Sequence, residues 1–361
     1  MRAAGLARLE AALTRAWQVR GAGARLLWPL ALCHAALVAL RRAAYRAGCL
    51  RSERIDRPVI VVGNRIAGGA GKTPCTIALL AHLQARGWRP GVVSRGHGRC
   101  GHAVVEVGRA SQAAAVGDEP LLIHLRTGAP VAVGRDRVAA ARALIAAHPE
   151  VDVVLADDGL QHLRLARDIE LLVFDARGAG NGWLLPAGPL REPLGAPSGA
   201  RHAFVLYNAD LPSTPLPGFM AHRSLGGVVG LRDWWQGKAA AQEALQSLRG
   251  ADVLACCGIA QPERFFAALR AAGLAVRTLA LPDHASFATL PWAAGVRNVV
   301  VTEKDAVKLA PERIDLERPA TAVWVAPLDF EPEAALWAEL DAALAALPAA
   351  PRREGGSWTP D

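Results

Sequence analysis

Short apolar runs alternate along this chain with segments whose apolar residues recur at helical spacing. The runs are rich in valine, leucine and isoleucine and are bounded by glycine, proline or acidic residues, which is typical of buried strands. Strands that alternate with helices predict an α/β fold with a mostly parallel sheet and helices on both faces. The predicted strands lie at 59–62, 91–94, 103–107, 130–134, 151–156 and 168–176, and then at 252–258, 274–281, 298–302 and 322–326.

A proline-rich segment divides this alternating pattern into two sets. Residues 210–218 contain three prolines, which is typical of a linker. A chain of 361 residues is long enough for two domains with separate cores. We therefore predict N-terminal helices at 1–50, a first α/β domain at 51–208, a linker at 209–226, a second α/β domain at 227–330, a C-terminal helix at 331–348 and a disordered tail at 349–361.

The N-terminal helices include an apolar run at 26–40 that is bracketed by arginines. The run is shorter than the ~20 residues that a spanning helix needs, and Pro29 and His34 interrupt it. Such a segment suits a helix that lies in the interface of an anionic membrane leaflet. It also suits a helix docked on the protein's own core, and a signal peptide is a third alternative. The sequence does not separate the first two.

A glycine-rich loop at 68–71 stands between the first predicted strand and a helix. Backbone N–H groups of such a loop can surround an anion, and the helix N-terminus adds partial positive charge. Lys72 can then reach the β- and γ-phosphates of a nucleotide, the Thr73 hydroxyl can ligate Mg²⁺, and Pro74 loses no hydrogen bond in a first helical turn. The predicted nucleotide-binding residues are Gly68, Gly69, Ala70, Gly71, Lys72, Thr73 and Pro74.

One position departs from the usual phosphate-loop pattern, because Ile66 stands where a glycine is expected five residues before Gly71. A glycine-rich turn followed by a chance Lys-Thr pair is therefore an alternative. The strand before the loop and the helix after it favour a phosphate loop instead. Composition favours it too, since only four of the 41 basic residues are lysines and Lys72 is one of them.

The chain is basic, with a formal net charge of +8, and its 52% hydrophobic and 20% charged content excludes a disordered protein. This charge predicts an anionic partner, which could be a nucleotide, a nucleic acid or a membrane surface. The six cysteines form no C-x-x-C pair and no zinc spacing, so we predict free thiols in a reducing compartment.

Two acidic pairs are candidates for chemistry. Asp157 and Asp158 follow a buried strand, where a carboxylate can face phosphates and hold Mg²⁺, although an Asp-Asp-Gly turn explains the same residues. Asp118 and Glu119 could supply a base for phosphate transfer to an alcohol, or could simply begin a helix. The sequence leaves these two interpretations equally open. His284 follows a strand of the second domain, and a lone histidine is more often structural.

The long loop at 181–193 is rich in glycine and proline and carries Arg191. Long loops at the mouth of an α/β sheet are commonly functional. Arg95 and Gln161 follow strands whose carboxyl ends lie on the same side of the sheet. We therefore expect these side chains to meet a polar substrate there.

Eight stretches between residues 63 and 309 together resemble the tetraacyldisaccharide 4'-kinase family, the lipid A 4'-kinases of Gram-negative bacteria. They are GNRIAGGAGKTP, SRGHGR, VGDEP, ADDGLQH, NGWLLPAGPLREP, PERFF, PDHASF and VVTEKDAVKL, in the family's order. The resemblance implies two α/β/α sandwich domains joined by a short β-ribbon, the first with a mostly parallel sheet like that of P-loop NTPases. It also implies an active site in the cleft between the domains.

An activity follows from the same resemblance. Kinases of this family move the γ-phosphate of ATP, with Mg²⁺, onto the 4'-hydroxyl of a tetraacyldisaccharide 1-phosphate and give the 1,4'-bisphosphate, lipid IVA. We therefore expect ATP and Mg²⁺ as cofactors. We also expect a peripheral monomer on the cytoplasmic face of the bacterial inner membrane, bound to the anionic leaflet and without a nucleic-acid partner.

The resemblance assigns roles by motif. Asp118 is expected to be the base, assisted by His284 from the second domain, while Lys72 binds the phosphates. The residues expected near the metal are Thr73, Glu119, Asp157 and Asp158.

Further positions fall in motifs that the family uses for the sugar-phosphate substrate. Two departures accompany them. His97 replaces the family's usual tyrosine, and Ala260-Gln261 replace Gly-Asn, a change that we expect to affect only a turn. The expected substrate-binding residues are Ser94, Arg95, His97, Gln161 and Arg191.

Two other protein classes are alternatives. A P-loop switch ATPase would carry a signature lysine where this chain has Ala67, and such a switch has no use for the loop at 181–193. A nucleic-acid-binding protein is suggested by charge alone, but the aromatic content is 5% and no binding module is recognisable. The kinase is therefore the interpretation that accounts for most of the sequence.

Overall fold

The computed structural model describes residues 13–99 and 101–347. The first twelve residues, Cys100 and the predicted tail at 349–361 lie outside the described residues. Within the described residues the chain forms two sheets, one of nine strands and one of five. Each predicted strand is present, and the apolar core lies between the sheets and their helices.

The nine-stranded sheet is built mainly from the first half of the chain. Its strands are β1 (Val59–Gly63), β2 (Pro90–Ser94), β3 (Val105–Val107), β4 (Val131–Val133), β5 (Val153–Asp157), β6 (Ile169–Asp175), β7 (His202–Asn208), β8 (Phe219–Leu225) and β14 (Leu328–Pro332). Their order is β14-β8-β7-β6-β1-β5-β2-β4-β3. All neighbouring pairs from β8 to β4 are parallel, whereas the outer strands β3 and β14 pair antiparallel.

The central strand β1 shows why the sheet could be recognised as a continuous apolar run. Ile60 and Val62 pack into the core on one face, and Val59 and Val61 pack into the core on the other. A strand that is covered on both faces has no solvent side and therefore carries no polar alternation. The helices of this half are α1 (Ala22–Arg46), α2 (Lys72–Ala85), α3 (Ala113–Val116), α4 (Asp118–Thr127) and α5 (Arg137–Ala147), and residues 13–16 are also helical.

The five-stranded sheet forms the core of the second half. Its strands are β9 (Val229–Gly230), β10 (Val253–Cys257), β11 (Val276–Ala280), β12 (Asn298–Thr302) and β13 (Ala322–Ala326), in the order β11-β10-β12-β13-β9. Only the short edge strand β9 pairs antiparallel among the strands described. The helices are α6 (Leu231–Trp235), α7 (Gln242–Ser247), α8 (Pro262–Ala271), α9 (Glu303–Ala306), α10 (Pro311–Glu317) and α11 (Ala334–Ala345).

The chain passes between the two sheets along an antiparallel pair of strands. Strand β8 leads out to the five-stranded sheet, and β14 pairs with it on the way back. Residues 219–225 of the predicted linker at 209–226 form β8, because the connection between the two sheets is an antiparallel ribbon of β8 and β14. The first two residues of the predicted C-terminal helix belong to β14 for the same reason. After β14, helix α11 returns to the first half, where Asp341 contacts His82 of α2 at 2.9 Å.

Helix α1 is largely exposed. Of its residues, only Ala24 and Ala31 are buried, whereas Leu26 and Leu40 are 82% and 69% exposed. The helix also contacts the rest of the protein, since the Trp28 ring centroid lies 6.4 Å from that of Trp183 and Arg42 pairs with Glu192. The expected interruption at Pro29 is absent, since the helix continues through it. By length and composition α1 could cross a membrane.

Candidate functional site

A cavity of about 810 Å³ lies between the two halves of the molecule. Its walls come from the glycine loop and α2 on one side and from α8 and α9 on the other, with the β8–β14 pair closing one end. The carboxyl ends of β6 and β7, at Asp175 and Asn208, line this space, which is where ligands bind in α/β sheets. The cavity therefore brings the predicted nucleotide loop to face the second half of the chain.

The glycine loop is held in shape by two residues that the sequence did not single out. Gly71 has a φ of 91°, and a Cβ added there would lie 2.0 Å from Asn208 Nδ2. Asn208 is buried at the end of β7 and donates to the Ala70 carbonyl at 3.0 Å. Arg177 donates to the Gly69 carbonyl at 2.7 Å. The loop is therefore fixed before any nucleotide binds.

The departure at Ile66 has a structural explanation. Ile66 is buried and forms an antiparallel bridge with Leu190 in the long loop at 181–193. The next pairing continues along the same loop, where the Arg191 N–H donates to the Arg65 carbonyl at 2.7 Å. A paired, buried position has no need of glycine. The pairing also ties the nucleotide loop to the backbone of Arg191, a predicted substrate residue.

Asp157 ends β5 as a buried carboxylate. It accepts hydrogen bonds from Thr76 Oγ1 at 3.2 Å and from Ser94 Oγ at 3.4 Å. Burial, together with the negative charges of Glu119 and Asp158, raises the pKa of Asp157 to about 7. Ser94 is itself buried, so the structure places it beneath the carboxylates and not on an open substrate surface.

Asp158 lies one residue further, in a strained conformation with a φ of 47°. Lys72 Nζ is 3.6 Å and Arg191 Nη1 is 3.2 Å from its Oδ1 atom. Although burial opposes it, these two cations lower the pKa of Asp158, so the carboxyl is ionised. Arg191 also donates to Gln161 Oε1 at 3.3 Å. The predicted phosphate-binding and substrate-binding residues thus meet at one carboxylate.

We predict that Asp157→Asn stabilises the nucleotide-free protein. Because the folded pKa of Asp157 is raised to about 7, its favourable contribution is complete below the ordinary carboxyl pKa and is lost as the pH rises through about 7. Asparagine carries no charge and can keep the bonds to Thr76 and Ser94. The melting temperature of the variant should therefore exceed that of the wild type by several degrees well above pH 7, and the gap should close in acid.

Thermal melts over a pH series, without nucleotide or divalent metal, measure this difference. The control is Asp252→Asn, because Asp252 is an exposed carboxylate paired with Arg277 at 2.8 Å and should show no such trend. A gap that stays constant with pH would contradict the assignment of the raised pKa to Asp157.

Asp118 and His284 form a contact between the two halves of the molecule, each next in sequence to a cavity-lining residue, Glu119 and Asp283 respectively. Asp118 begins α4 after Gly117, and its Oδ2 atom lies 2.9 Å from His284 Nδ1. His284 has a φ of 58°, so its ring is presented from a strained turn. Burial raises the pKa of Asp118, but the His284 hydrogen bond and nearby lysines outweigh it and the pKa is lowered. The bond to Asp118 raises the pKa of His284 against the effect of burial.

The remaining predicted residues lie around this pair. The His97 ring centroid is 5.4 Å from that of His284, so the residue that replaces the family tyrosine packs beside the pair. Arg95 is exposed and lies two residues before His97, directly after β2. Glu119 lines the cavity together with the glycine loop.

The sequence analysis missed two lysines of the second half and the contact that Gln261 makes. Lys304 Nζ is 3.2 Å from Glu119 Oε1, and Lys308 Nζ is 3.8 Å from Asp118 Oδ2. The scarcity of lysine in the chain could have indicated Lys304 and Lys308, but the sequence analysis used this argument only for Lys72. Gln261 donates across the cavity to Asp175 at 2.6 Å, so the expectation that this departure affects only a turn was wrong.

Comparisons with known proteins agree with this geometry. A model of the family described as tetraacyldisaccharide-1-P 4'-kinase matches residues 23–345. A tetraacyldisaccharide 4'-kinase of Methylibium petroleiphilum is 65% identical over 96% of each chain, and one of Leptothrix cholodnii is 58% identical over 95% of this chain and 97% of its own. The crystal structure of LpxK from Aquifex aeolicus in complex with ATP superposes with a TM-score of 0.72 at 24% identity, covering 89% of this chain and 98% of that one. The predicted fold class is thereby confirmed.

Proposed function

The chain belongs to the tetraacyldisaccharide 4'-kinase family, and from this premise we propose how its cleft carries out the family's reaction. The reaction is the ATP-dependent phosphorylation of a lipid A precursor at the 4' position, in lipid A biosynthesis, as the sequence predicted. The observation that carries the proposal is the contact of 2.9 Å between Asp118 and His284, which joins the two halves beside the nucleotide loop.

We place the triphosphate of ATP on the backbone of residues 68–73. The loop is preformed by Asn208 and Arg177, so its N–H groups require little ordering on binding. The Lys72 ammonium lies 3.6 Å from Asp158 and is directed into the same cavity. Its role is to stabilise the charge that develops on the phosphate oxygens during transfer.

Among the described residues, no group of three or more histidine, cysteine, aspartate or glutamate side chains forms a ready metal site, so a magnesium ion would be held by one or two carboxylates together with the ATP phosphates. Asp157 is a buried carboxylate whose ionised form is opposed by burial and by two neighbouring carboxylates more strongly than Lys72 and Thr76 favour it, so a divalent cation would stabilise that form. The bound ion would neutralise charge on the phosphates. The residues that would hold it are Thr73, Glu119, Asp157 and Asp158.

Asp118 is proposed as the base for the sugar hydroxyl. It accepts the 4'-hydroxyl proton as that oxygen bonds to the γ-phosphorus, and the bond from the γ-phosphorus to the bridging oxygen breaks, so that ADP leaves with the electron pair. His284 holds the Asp118 carboxylate through its Nδ1 atom at 2.9 Å. The lowered pKa of Asp118 keeps the carboxylate ionised and ready to accept.

The substrate headgroup is proposed to lie between this pair and the loop at 181–193. Arg191 and Gln161 are already linked to each other at 3.3 Å and offer donors to a sugar phosphate. Arg95 and His97 are both exposed after β2, and the His97 ring packs beside His284. Ser94 was predicted among these residues, but its buried position under Asp157 supports a role in holding that carboxylate instead.

The exposed helix α1 is proposed to hold the enzyme on the cytoplasmic face of the inner membrane. Its apolar surface and flanking arginines suit an anionic leaflet, in which the acyl chains of the substrate lie. Arg42 of α1 contacts Glu192 at 2.5 Å, next to Arg191, so the helix joins the membrane surface to the substrate loop. We also propose a monomer without a nucleic-acid partner, because phosphate ligands and lipid account for the positive charge; light scattering of the purified chain tests the oligomeric state.

Replacing exposed leucines of α1 by asparagine should release the protein from anionic vesicles. Burial of a leucine side chain in an apolar phase contributes roughly 1.5–3 kcal/mol, so a fourfold variant should lose vesicle binding by orders of magnitude. Co-sedimentation measures the bound fraction. The four leucines are Leu26, Leu30, Leu37 and Leu40.

The matched control replaces Leu211 and Leu316, which are 75% and 83% exposed away from α1. This control should bind vesicles as the wild type does. Equal binding by the α1 variant would show that another surface attaches the enzyme.

The reaction itself is tested with ATP, Mg²⁺ and vesicles that contain a tetraacyldisaccharide 1-phosphate. Mass spectrometry should show a bis-phosphorylated lipid only when all three are present. Chelation of the metal should stop the reaction, and product formation in chelator would refute the proposed magnesium site.

A further inference from the structure

Lys304 makes three polar contacts that span the cleft. Its Nζ atom is 3.2 Å from Glu119 Oε1 in the first half, and 3.4 Å from Asp283 Oδ1 and 3.2 Å from His284 Nε2 in the second. A lysine side chain is an ammonium ion at neutral pH, and this geometry gives each of its three N–H groups one acceptor.

These contacts determine the protonation of the His284 ring. An ammonium group has donors and no acceptor, so the contact with Nε2 requires a lone pair on that nitrogen. The ring proton then sits on Nδ1, from which it is donated to Asp118 Oδ2 at 2.9 Å. In an imidazolium, Nε2–H would face the ammonium, donor against donor. The contact is a hydrogen bond only for the neutral ring protonated at Nδ1, which is the form above the His284 pKa.

We propose that Lys304 is a positioning residue for the transfer reaction, which fixes the tautomer and orientation of His284 so that His284 donates to the Asp118 carboxylate. The inference rests on the proposed roles of Asp118 and His284 and adds a third member to that pair. Without the Nε2 contact the ring is free to turn about its Cβ–Cγ bond or to change tautomer. Either change would remove the donor from Asp118.

The backbone around Lys304 is anchored in a way that suits this role. Lys304 follows Thr302, which caps α9, and Glu303, which is paired with Arg126 of α4 at 2.5 Å. The second half is thereby attached to the helix that Asp118 begins. Lys308 is held differently, because its nearest carboxylate is Asp305 of its own helix region at 3.2 Å.

Nuclear magnetic resonance of the full-length protein labelled with ¹⁵N-histidine tests the tautomer directly. In mildly alkaline buffer the His284 signal, identified by its loss in His284→Ala, should show a protonated Nδ1 and an unprotonated Nε2. In Lys304→Met the two nitrogens should move toward averaged shifts. A wild-type ring protonated at Nε2, or one unchanged by Lys304→Met, would overturn the proposal.

Kinetics test whether Lys304 acts through His284. Lys304→Met should lower kcat about 10- to 100-fold, as expected when a reacting group loses its alignment, with little change in KM for ATP or lipid. In a His284→Ala background the same substitution should cost almost nothing further. An equal loss of kcat in both backgrounds, or an effect confined to KM, would overturn the proposal.

A matched control comes from the same scarce residue type. Lys238 is exposed and contacts only Asp233 at 2.7 Å among the described residues, so Lys238→Met removes the same charge without touching the cleft and should retain wild-type kcat. Failure of the underlying function is distinguishable, because His284→Ala alone would then leave kcat unchanged. If only the inference fails, His284→Ala still lowers kcat, but Lys304→Met lowers kcat by the same factor with and without His284.

Discussion

Lys72→Ala should lower kcat for phosphate transfer by about 10²- to 10³-fold or more, the effect expected for loss of one preorganised donor to developing charge. The Lys72 side chain is 11% exposed and opens α2 beside Asp158 at 3.6 Å. Among the described residues, no other lysine lines the glycine-loop side of the cavity. Lys304 lies on the opposite wall, where it contacts Glu119. Water cannot replace an ammonium fixed by the fold. Initial rates at saturating ATP and lipid measure the loss.

Two controls separate charge stabilisation from folding. Lys238→Ala removes an exposed ammonium far from the cavity and should have full activity. Lys72→Met keeps the length and apolar stem of the side chain, so it should match the alanine variant in rate while melting like the wild type. Transfer at the wild-type rate in either Lys72 variant would remove the glycine loop from the proposed mechanism.

Strands β1, β5 and β6 could be predicted because both faces of the sheet are covered there, and burial then requires a continuous apolar run. Strand β8 could not, since three of its seven residues, His222, Arg223 and Ser224, are polar and exposed and only Ala221 is buried. It is a strand because it pairs with β14, which is distant in sequence. The local sequence pattern carries no information about a partner strand that lies about a hundred residues later in the chain.

The candidate site divides in the same way. The glycine loop, Lys72 and the strand-end carboxylates are local features, so spacing alone predicted them. The contact between Asp118 and His284 joins residues 166 positions apart, and only the resemblance to a family suggested it. The supports of the loop, Asn208 and Arg177, come from other strand ends and have no motif of their own. Their roles depend on the close approach of separate segments in three dimensions.

Asp118→Ala should lower kcat by about 10²- to 10⁴-fold, the range associated with a general base. His284→Ala should lower kcat less, because the carboxylate remains and only its hydrogen-bond partner is lost. The double variant should cost little more than Asp118→Ala alone, since His284 acts through the carboxylate that it contacts at 2.9 Å. Single-turnover rates, which report the chemical step, measure the loss in each single variant and in the double variant.

The pH profile gives this prediction a second, independent test. The His284 hydrogen bond is the main factor that lowers the pKa of Asp118 against burial, so the pKa should rise in His284→Ala. Because the ionised carboxylate is the active form, activity is lost as the pH falls through that pKa. The acid limb of kcat/KM should therefore move to higher pH in His284→Ala, and Lys238→Met should leave it in place. Strictly multiplicative losses in the double variant, with an unmoved acid limb, would show that the two residues act independently.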